Sequence, residues 1–284
     1  MICVTGAGGT VGGELIKHLH SAHVPFRAAY FSPGKAEAAR ARGMEAAVID
    51  YHRPETLRAA FQGCDKLFLL GPNAQNQTEL ELNAVEAAER VGIRHIVKLS
   101  VMGADAEAYA IALLHRPVEK AIASSGIPWT FLRPNSFMQN VVTYMSGTIK
   151  AEAAFYSASG EGKISHVDVR DIVAVAVEAL TGSNHVGKAY TLTGPQALTY
   201  DELANELSNA VGRPIRHINL PPADLKNAMI AEGMPEAIAD RMLDLERYYR
   251  EGQAGLITQD IKQMTGRDPR RFADYARHVA SALT

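Results

Sequence analysis

Gly6, Ala7, Gly8, Gly9, Thr10, Val11 and Gly12 follow a short apolar run at residues 2–5 and set three glycines at three-residue intervals. Glycine is required where a backbone turns with positive φ and where no Cβ can stand in the way of an approaching diphosphate. A helix then starts, with Val11, Leu15 and Leu19 as its apolar stripe. Its first turn offers unpaired N–H groups and the positive end of the helix dipole to phosphate charge. The chemistry predicted is dinucleotide binding, with Gly6, Gly8, Gly9, Thr10 and Val11 around the diphosphate. An Asp or Glu at the end of the second strand would bond the adenosine ribose 2′-OH and repel a 2′-phosphate. This chain has Tyr30, Phe31, Ser32, Pro33, Gly34 and Lys35 there, with no acid. Ser32, Lys35 and the N–H groups opening the next helix are candidates to hold a phosphate, so the reading favours NADP(H) over NAD(H). Asp50 and Tyr51, closing the third strand, are expected to meet the adenine, one as acceptor and one as flanking surface.

Further candidates sit at later strand ends. Leu70, Gly71 and Pro72 close the fourth strand and are expected to line the nicotinamide-side ribose with backbone. Ser100 closes the fifth and is placed to bond that ribose or a substrate oxygen. Beyond the sixth, Pro134, Asn135, Ser136 and Phe137 are expected beside the nicotinamide. Phe137, Met138 and Tyr144 offer an apolar, adaptable wall to an aromatic substrate. Asp168 and Asp171 read as partners of a helix N-terminus, not as a catalytic carboxylate pair.

The elements that position these residues are legible in the periodicity. Strands are predicted at 26–31, 46–50, 66–70 and 95–99, and helices at 34–42, from Pro54 to Gly63, and at 75–91, where Leu80, Ala84, Val85, Ala88 and Val91 keep a 3.6-residue period. Continuous apolar strands joined by helices imply an α/β fold, a doubly wound parallel sheet of the Rossmann kind. From about residue 135 the connections lengthen. A helix at 169–180 and a strand at 188–193 follow, then a capping box at Thr199–Glu202 opening a helix to Val211. The rest is mostly helical, with Asp268 and Pro269 opening the last helix. The organisation expected is a dinucleotide-binding domain over 1–134, with 165–194 returning to it, and a smaller, helix-rich C-terminal lobe over 135–284 that binds substrate.

Several stretches together resemble the NmrA-like, atypical short-chain dehydrogenase/reductase family. They are VTGAGGTVGG at 4–13, Asp50 and Tyr51 followed by PETL at 54–57, HIVKLS at 95–100, SGIPWTFLRP at 125–134, YTLTG at 190–194 and LTYDEL at 198–203. Within that family the chain looks like the branch of bacterial NAD(P)H:quinone oxidoreductases and triphenylmethane reductases. The family usually places Arg where this chain has Phe31, so Phe31 is expected to cover the adenine face instead. The Tyr-x-x-x-Lys pair of ordinary short-chain dehydrogenases, in which lysine lowers the tyrosine pKa, is missing after the fifth strand: Tyr109 is followed four residues on by Leu113. The resemblance instead implies a site role for His115, which falls where related reductases carry a functional Lys or His. Imidazole can donate a proton near neutral pH, which suits reduction of a quinone or carbonyl, or it can serve only to orient the substrate.

Composition narrows the function classes. The formal net charge of −2, with scattered basic residues, argues against a nucleic-acid partner. No apolar stretch reaches the roughly 18–20 residues of a membrane span. The first core strand begins at residue 2, and the two cysteines, Cys3 and Cys64, stand in apolar contexts. Both features fit a cytoplasmic protein with buried thiols and no metal. The expectation is a monomeric or homodimeric NAD(P)H-dependent reductase delivering hydride to a small apolar aromatic acceptor such as a quinone or dye. The alternative is an NmrA-type regulator that senses the dinucleotide without turning it over.

Overall fold

The computed structural model describes residues 1–284. In chain order the first half runs β1 (Ile2–Val4), α1 (Thr10–Ser21), β2 (Phe26–Tyr30), α2 (Pro33–Ala41), β3 (Glu45–Val48), α3 (Pro54–Phe61), β4 (Lys66–Leu69), α4 (Gln77–Val91), β5 (His95–Leu99), α5 (Ala110–Ser124) and β6 (Trp129–Pro134). A π-helical turn (Val141–Met145), α6 (Ser146–Glu152), β7 (Ala154–Ser157), α7 (Val169–Thr181), β8 (Lys188–Leu192), α8 (Tyr200–Val211) and β9 (Arg216–Asn219) follow. Four helices close the chain: α9 (Pro222–Ala231), α10 (Glu236–Arg250), α11 (Asp260–Thr265) and α12 (Phe272–Val279). No helix is long and apolar enough to cross a membrane.

Seven strands form one sheet in the order β3-β2-β1-β4-β5-β6-β8. The pairs β1–β2, β1–β4, β2–β3, β4–β5 and β5–β6 are all parallel. This is the doubly wound topology expected from the sequence, with the strand order reversing between β1 and β4. β1 and β5 are buried along their whole length. Leu57, Phe61, Leu67, Leu69, Leu80, Ile96 and Phe131 form the core around them. A second, two-stranded parallel sheet, β7–β9, was not read from the sequence.

The chain divides into two compact units. The first contains residues 1–106, 112–133 and 172–191, and the second residues 107–111, 134–171 and 192–284. The segment expected at 165–194 to return to the first unit is narrower, 172–191, and residues 107–111 go to the second.

Candidate functional site

The glycine turn lies at the β1–α1 junction of the first unit. Gly6 sits at φ +63°, a conformation that favours glycine. Its carbonyl receives the N–H of Gly9 at 2.9 Å, which closes the turn. A Cβ on Gly12 would stand 2.2 Å from the Gly6 oxygen, so the fold itself requires that glycine. A Cβ on Gly9 would meet only that same oxygen, at 3.4 Å. Gly8, Gly9 and Thr10 are exposed, and Gly9 as N-cap of α1 has no side chain with which to cap the helix. The first N–H groups of α1 therefore face an open approach with no intrahelical acceptor, which fits a diphosphate.

At the end of β2, Phe31 is 76% exposed. Ser32 caps α2, its Oγ accepting from the Lys35 N–H at 3.4 Å. The Lys35 ammonium reaches back to the Gly8 carbonyl at 3.4 Å, which places the charge beside the glycine turn. No carboxylate stands among residues 30–35. The end of β3 departs from expectation. Tyr51 is buried in the core and its hydroxyl donates to the Leu70 carbonyl at 2.8 Å, so its ring is not an adenine-flanking surface. Asp50 remains partly exposed; it accepts the His52 N–H at 2.9 Å, and that bond is the chief reason its carboxyl titrates below its usual range.

Leu70 is tied down from several sides. Its N–H donates to the Thr5 hydroxyl at 2.8 Å, and its carbonyl accepts from Thr5 and Tyr51. Gly71, beside the half-buried Pro72, donates its N–H to Glu81 Oε1 at 2.9 Å. A Cβ on Gly71 would stand 2.4 Å from the Glu81 side chain, so this glycine is dictated by the carboxylate behind it. At the end of β5, Ser100 is buried and its hydroxyl has no hydrogen-bond partner in the protein. A buried hydroxyl without a partner is costly, and a ribose or carbonyl oxygen would satisfy it.

His115, on α5, is buried in a polar cluster that sequence reading did not assemble. Lys98 Nζ lies 3.2 Å from its Nδ1, and the Gln77 amide 3.3 Å from its Nε2. Lys98 also bonds Glu81 Oε1 at 2.8 Å, and both side chains are 0% exposed. Burial first, and the Lys98 charge second, hold the imidazole well below its ordinary pKa. A ring held this way is neutral at neutral pH, so it meets a neighbour as an N–H donor on one nitrogen and an acceptor on the other. The signal that could have revealed the cluster was Lys98 itself, a charge inside the apolar strand run HIVKL. A second buried pair was also missed: Arg133 grips Glu119 with two bonds, at 2.9 and 2.8 Å.

The remaining candidates belong to the second unit. Pro134 ends β6. Asn135 is buried and fully engaged, its amide donating to Ser165 Oγ and the Ala254 carbonyl and its oxygen accepting the Ser136 N–H, each at 2.8 Å. Both amide hydrogens are thereby committed, while the oxygen keeps a second lone pair. Ser136 Oγ lies 3.3 Å from the Asn140 amide. Met138 is 1% exposed and is core, not a substrate wall. Phe137 is partly exposed, and Tyr144 is 74% exposed on the π-helical turn.

Comparison with known proteins gives the family and the fold. The chain matches the NmrA-like family over residues 1–276. It is 38% identical over 284 residues to an NAD(P)H azoreductase of Xenophilus azovorans, covering 100% of this chain and 99% of the relative. The NADPH complex of an NADPH-dependent quinone oxidoreductase from Escherichia coli superposes with a TM-score of 0.90 at 29% identity, covering 98% of this chain and 99% of the other. The NADP(H) complex of the Citrobacter sp. triphenylmethane reductase gives 0.88 at 29% identity, with 100% of both chains covered.

Proposed function

The chain belongs to the NmrA-like family, and we propose that it is an NAD(P)H-dependent reductase that transfers hydride to a small, apolar aromatic acceptor such as a quinone or a dye. The observation that carries this reading is the open glycine turn. Its central glycine, Gly9, is left bare where the fold would accept a side chain, and the buried Ser100 hydroxyl in the same unit lacks a partner. When bound, the reduced nicotinamide supplies the hydride. The chain supplies position. Gly8, Gly9, Thr10 and Val11 offer backbone to the diphosphate, and Ser100 bonds the nicotinamide ribose or the acceptor oxygen. Lys35 and Ser32, with the start of α2, hold a 2′-phosphate in place of the family's usual arginine, which favours NADP(H). In the second unit, Phe137 and Tyr144 contribute apolar surface for the acceptor. His115 acts as a neutral N–H group that orders the site, and the proton needed by the reduced acceptor comes from water.

The test is direct. Purified protein is mixed with NADPH or NADH and a panel of quinones, azo dyes and triphenylmethane dyes, and the absorbance of the reduced cofactor is followed. Acceptor-dependent oxidation, faster with NADPH, is expected. Tight cofactor binding with no oxidation across the panel would replace this reading with a dinucleotide-sensing regulator.

A further inference from the structure

Lys98 stands in the middle of β5, where every residue is buried, and it is 0% exposed. An ammonium has three protons to donate and no acceptor site. Here three acceptors receive them: Glu81 Oε1 at 2.8 Å, the Leu99 carbonyl at 2.7 Å and His115 Nδ1 at 3.2 Å. An Nδ1 that accepts cannot carry hydrogen, so the ring proton resides on Nε2. That N–H points at the Gln77 amide, 3.3 Å away. Two N–H groups cannot satisfy each other, so Gln77 presents its oxygen to the ring, its amide ends being interchangeable by a half-turn.

The opposite assignment would need Lys98 as a neutral amine accepting from Nδ1–H. It is disfavoured by Glu81, which is fully buried and whose Oε2 has no partner. A buried carboxylate without a cation beside it is strongly destabilising. The polar groups facing the imidazole thus come from α4 (Gln77, and Glu81 through Lys98) and from β5 (Lys98). Thr78 adds a bond to the Leu114 carbonyl at 2.8 Å, which seats the start of α4 on α5 next to the ring. The same Glu81 oxygen that binds Lys98 also holds the Gly71 N–H.

We propose that Lys98 is a positioning residue: it locks His115 as the Nε2–H tautomer and, through Glu81, ties that imidazole to the Gly71 turn that receives the cofactor. The functional half of this statement rests on the reductase reading above; the tautomer does not. The cluster works as one connection between the β4 turn, the start of α4 and α5. It explains why a charge is kept inside a parallel strand where apolar residues would be cheaper to bury.

The test reads the tautomer by NMR on the full-length protein labelled with 15N-histidine, without cofactor or acceptor. Long-range 1H–15N correlation separates Nε2–H, Nδ1–H and imidazolium rings, and the His115 signal is assigned by its loss in His115→Gln. One Nε2–H species, unchanged between about pH 5.5 and 8, is expected. An Nδ1–H ring, a mixture or an imidazolium would overturn the proposal. Lys98→Met alone strands Glu81, so the paired variant Glu81→Gln/Lys98→Met is used, with circular dichroism as a check on folding. In the paired variant His115 should lose its single tautomer, and a ring that stays wholly Nε2–H shows that Lys98 does not set it. Acceptor-dependent kcat should fall at least about tenfold in that variant while NADPH affinity changes less; unchanged kcat removes the positioning role. Because the spectra need no turnover, a protein that reduces no quinone still tests the tautomer.

Discussion

Gly9 and Gly12 are one helical turn apart and answer to different constraints. Gly12 is fixed by the Gly6 carbonyl packed against it, so Gly12→Ala should destabilise the first unit and lower its melting temperature. Gly9 has ordinary extended backbone, φ −97° and ψ −178°, which any residue adopts. Gly9→Val should therefore leave the melting temperature nearly unchanged and abolish dinucleotide binding, because the added methyls occupy the phosphate's approach. Titration of cofactor fluorescence against both variants separates the two roles, and unimpaired binding by Gly9→Val would make the turn purely structural. Cofactor choice is a residue-scale matter as well. Ser32→Asp sets a carboxylate beside Lys35 and should shift preference from NADPH toward NADH. The expected change in the ratio of Kd values is about 10- to 100-fold, the worth of about 1.4 to 2.8 kcal/mol in a charged hydrogen bond. Wild type that already prefers NADH would point to Phe31, exposed at the same edge, as the deciding residue.

The helix α8 shows what a local signal achieves when nothing opposes it. The spacing of Thr199 and Glu202 predicts a capping box, and both bonds form: Thr199 Oγ1 accepts from the Glu202 N–H at 3.1 Å, and Glu202 accepts from the Thr199 N–H at 2.8 Å. Thr199→Ala should cost about 1 kcal/mol in a urea melt, and no loss would mean that tertiary packing alone holds α8. The strands from β1 to β5 are legible for a similar reason, since each centres on a short, mostly apolar run closed by a turn residue. The last helix is not: Asp268 and Pro269 look like its start, yet α12 begins at Phe272. The Arg270 N–H and guanidinium bind the Asp171 carboxylate, which holds that stretch out of the helix through a partner 99 residues away. β7 and β9 are not legible in the sequence, because four-residue strands such as AFYS and RHIN carry no pattern until they pair with each other. The glycine turn could be read because its residues are consecutive. The Glu81–Lys98–His115 cluster draws on three separate elements, and one sequence does not say which buried charge meets which.

Buried titratable groups are divided unequally between the two units, and this sets how each responds to acid. In the first unit, burial lowers His95 to about 4 and holds His115 well below its ordinary range. A histidine depressed in the folded state costs stability as pH falls below the unfolded value of about 6.5, because only the unfolded chain takes up the proton. For a shift of that size the loss at pH 5 is about 2 kcal/mol for His95, and His115 adds to it in the same sense. The second unit has one such group, His166, lowered to about 4 by burial and without a hydrogen-bond partner on either ring nitrogen. It also holds Glu246, which burial raises to about 7 although it accepts from the Ala158 N–H. A carboxyl raised in the folded state has the opposite effect: its burden is greatest above pH 7 and is relieved as pH falls toward the unfolded value of about 4.5. Between pH 7 and 5 that relief is about 2 kcal/mol, which offsets His166, and Asp171, also raised by burial, acts in the same direction. Asp168 is held below the usual carboxylate range and matters only under more acid conditions. Hydrogen exchange followed by mass spectrometry at pH 7 and pH 5, corrected for intrinsic rates, should therefore show β4 and β5 of the first unit losing protection while α8 and α10 of the second change little. Glu246→Gln removes the offset, so in that variant the second unit should weaken at pH 5 relative to pH 7 by about 2 kcal/mol, from a higher stability at pH 7. Equal loss in both units of the wild type, or a second unit indifferent to Glu246→Gln, would show that these groups do not govern the acid response.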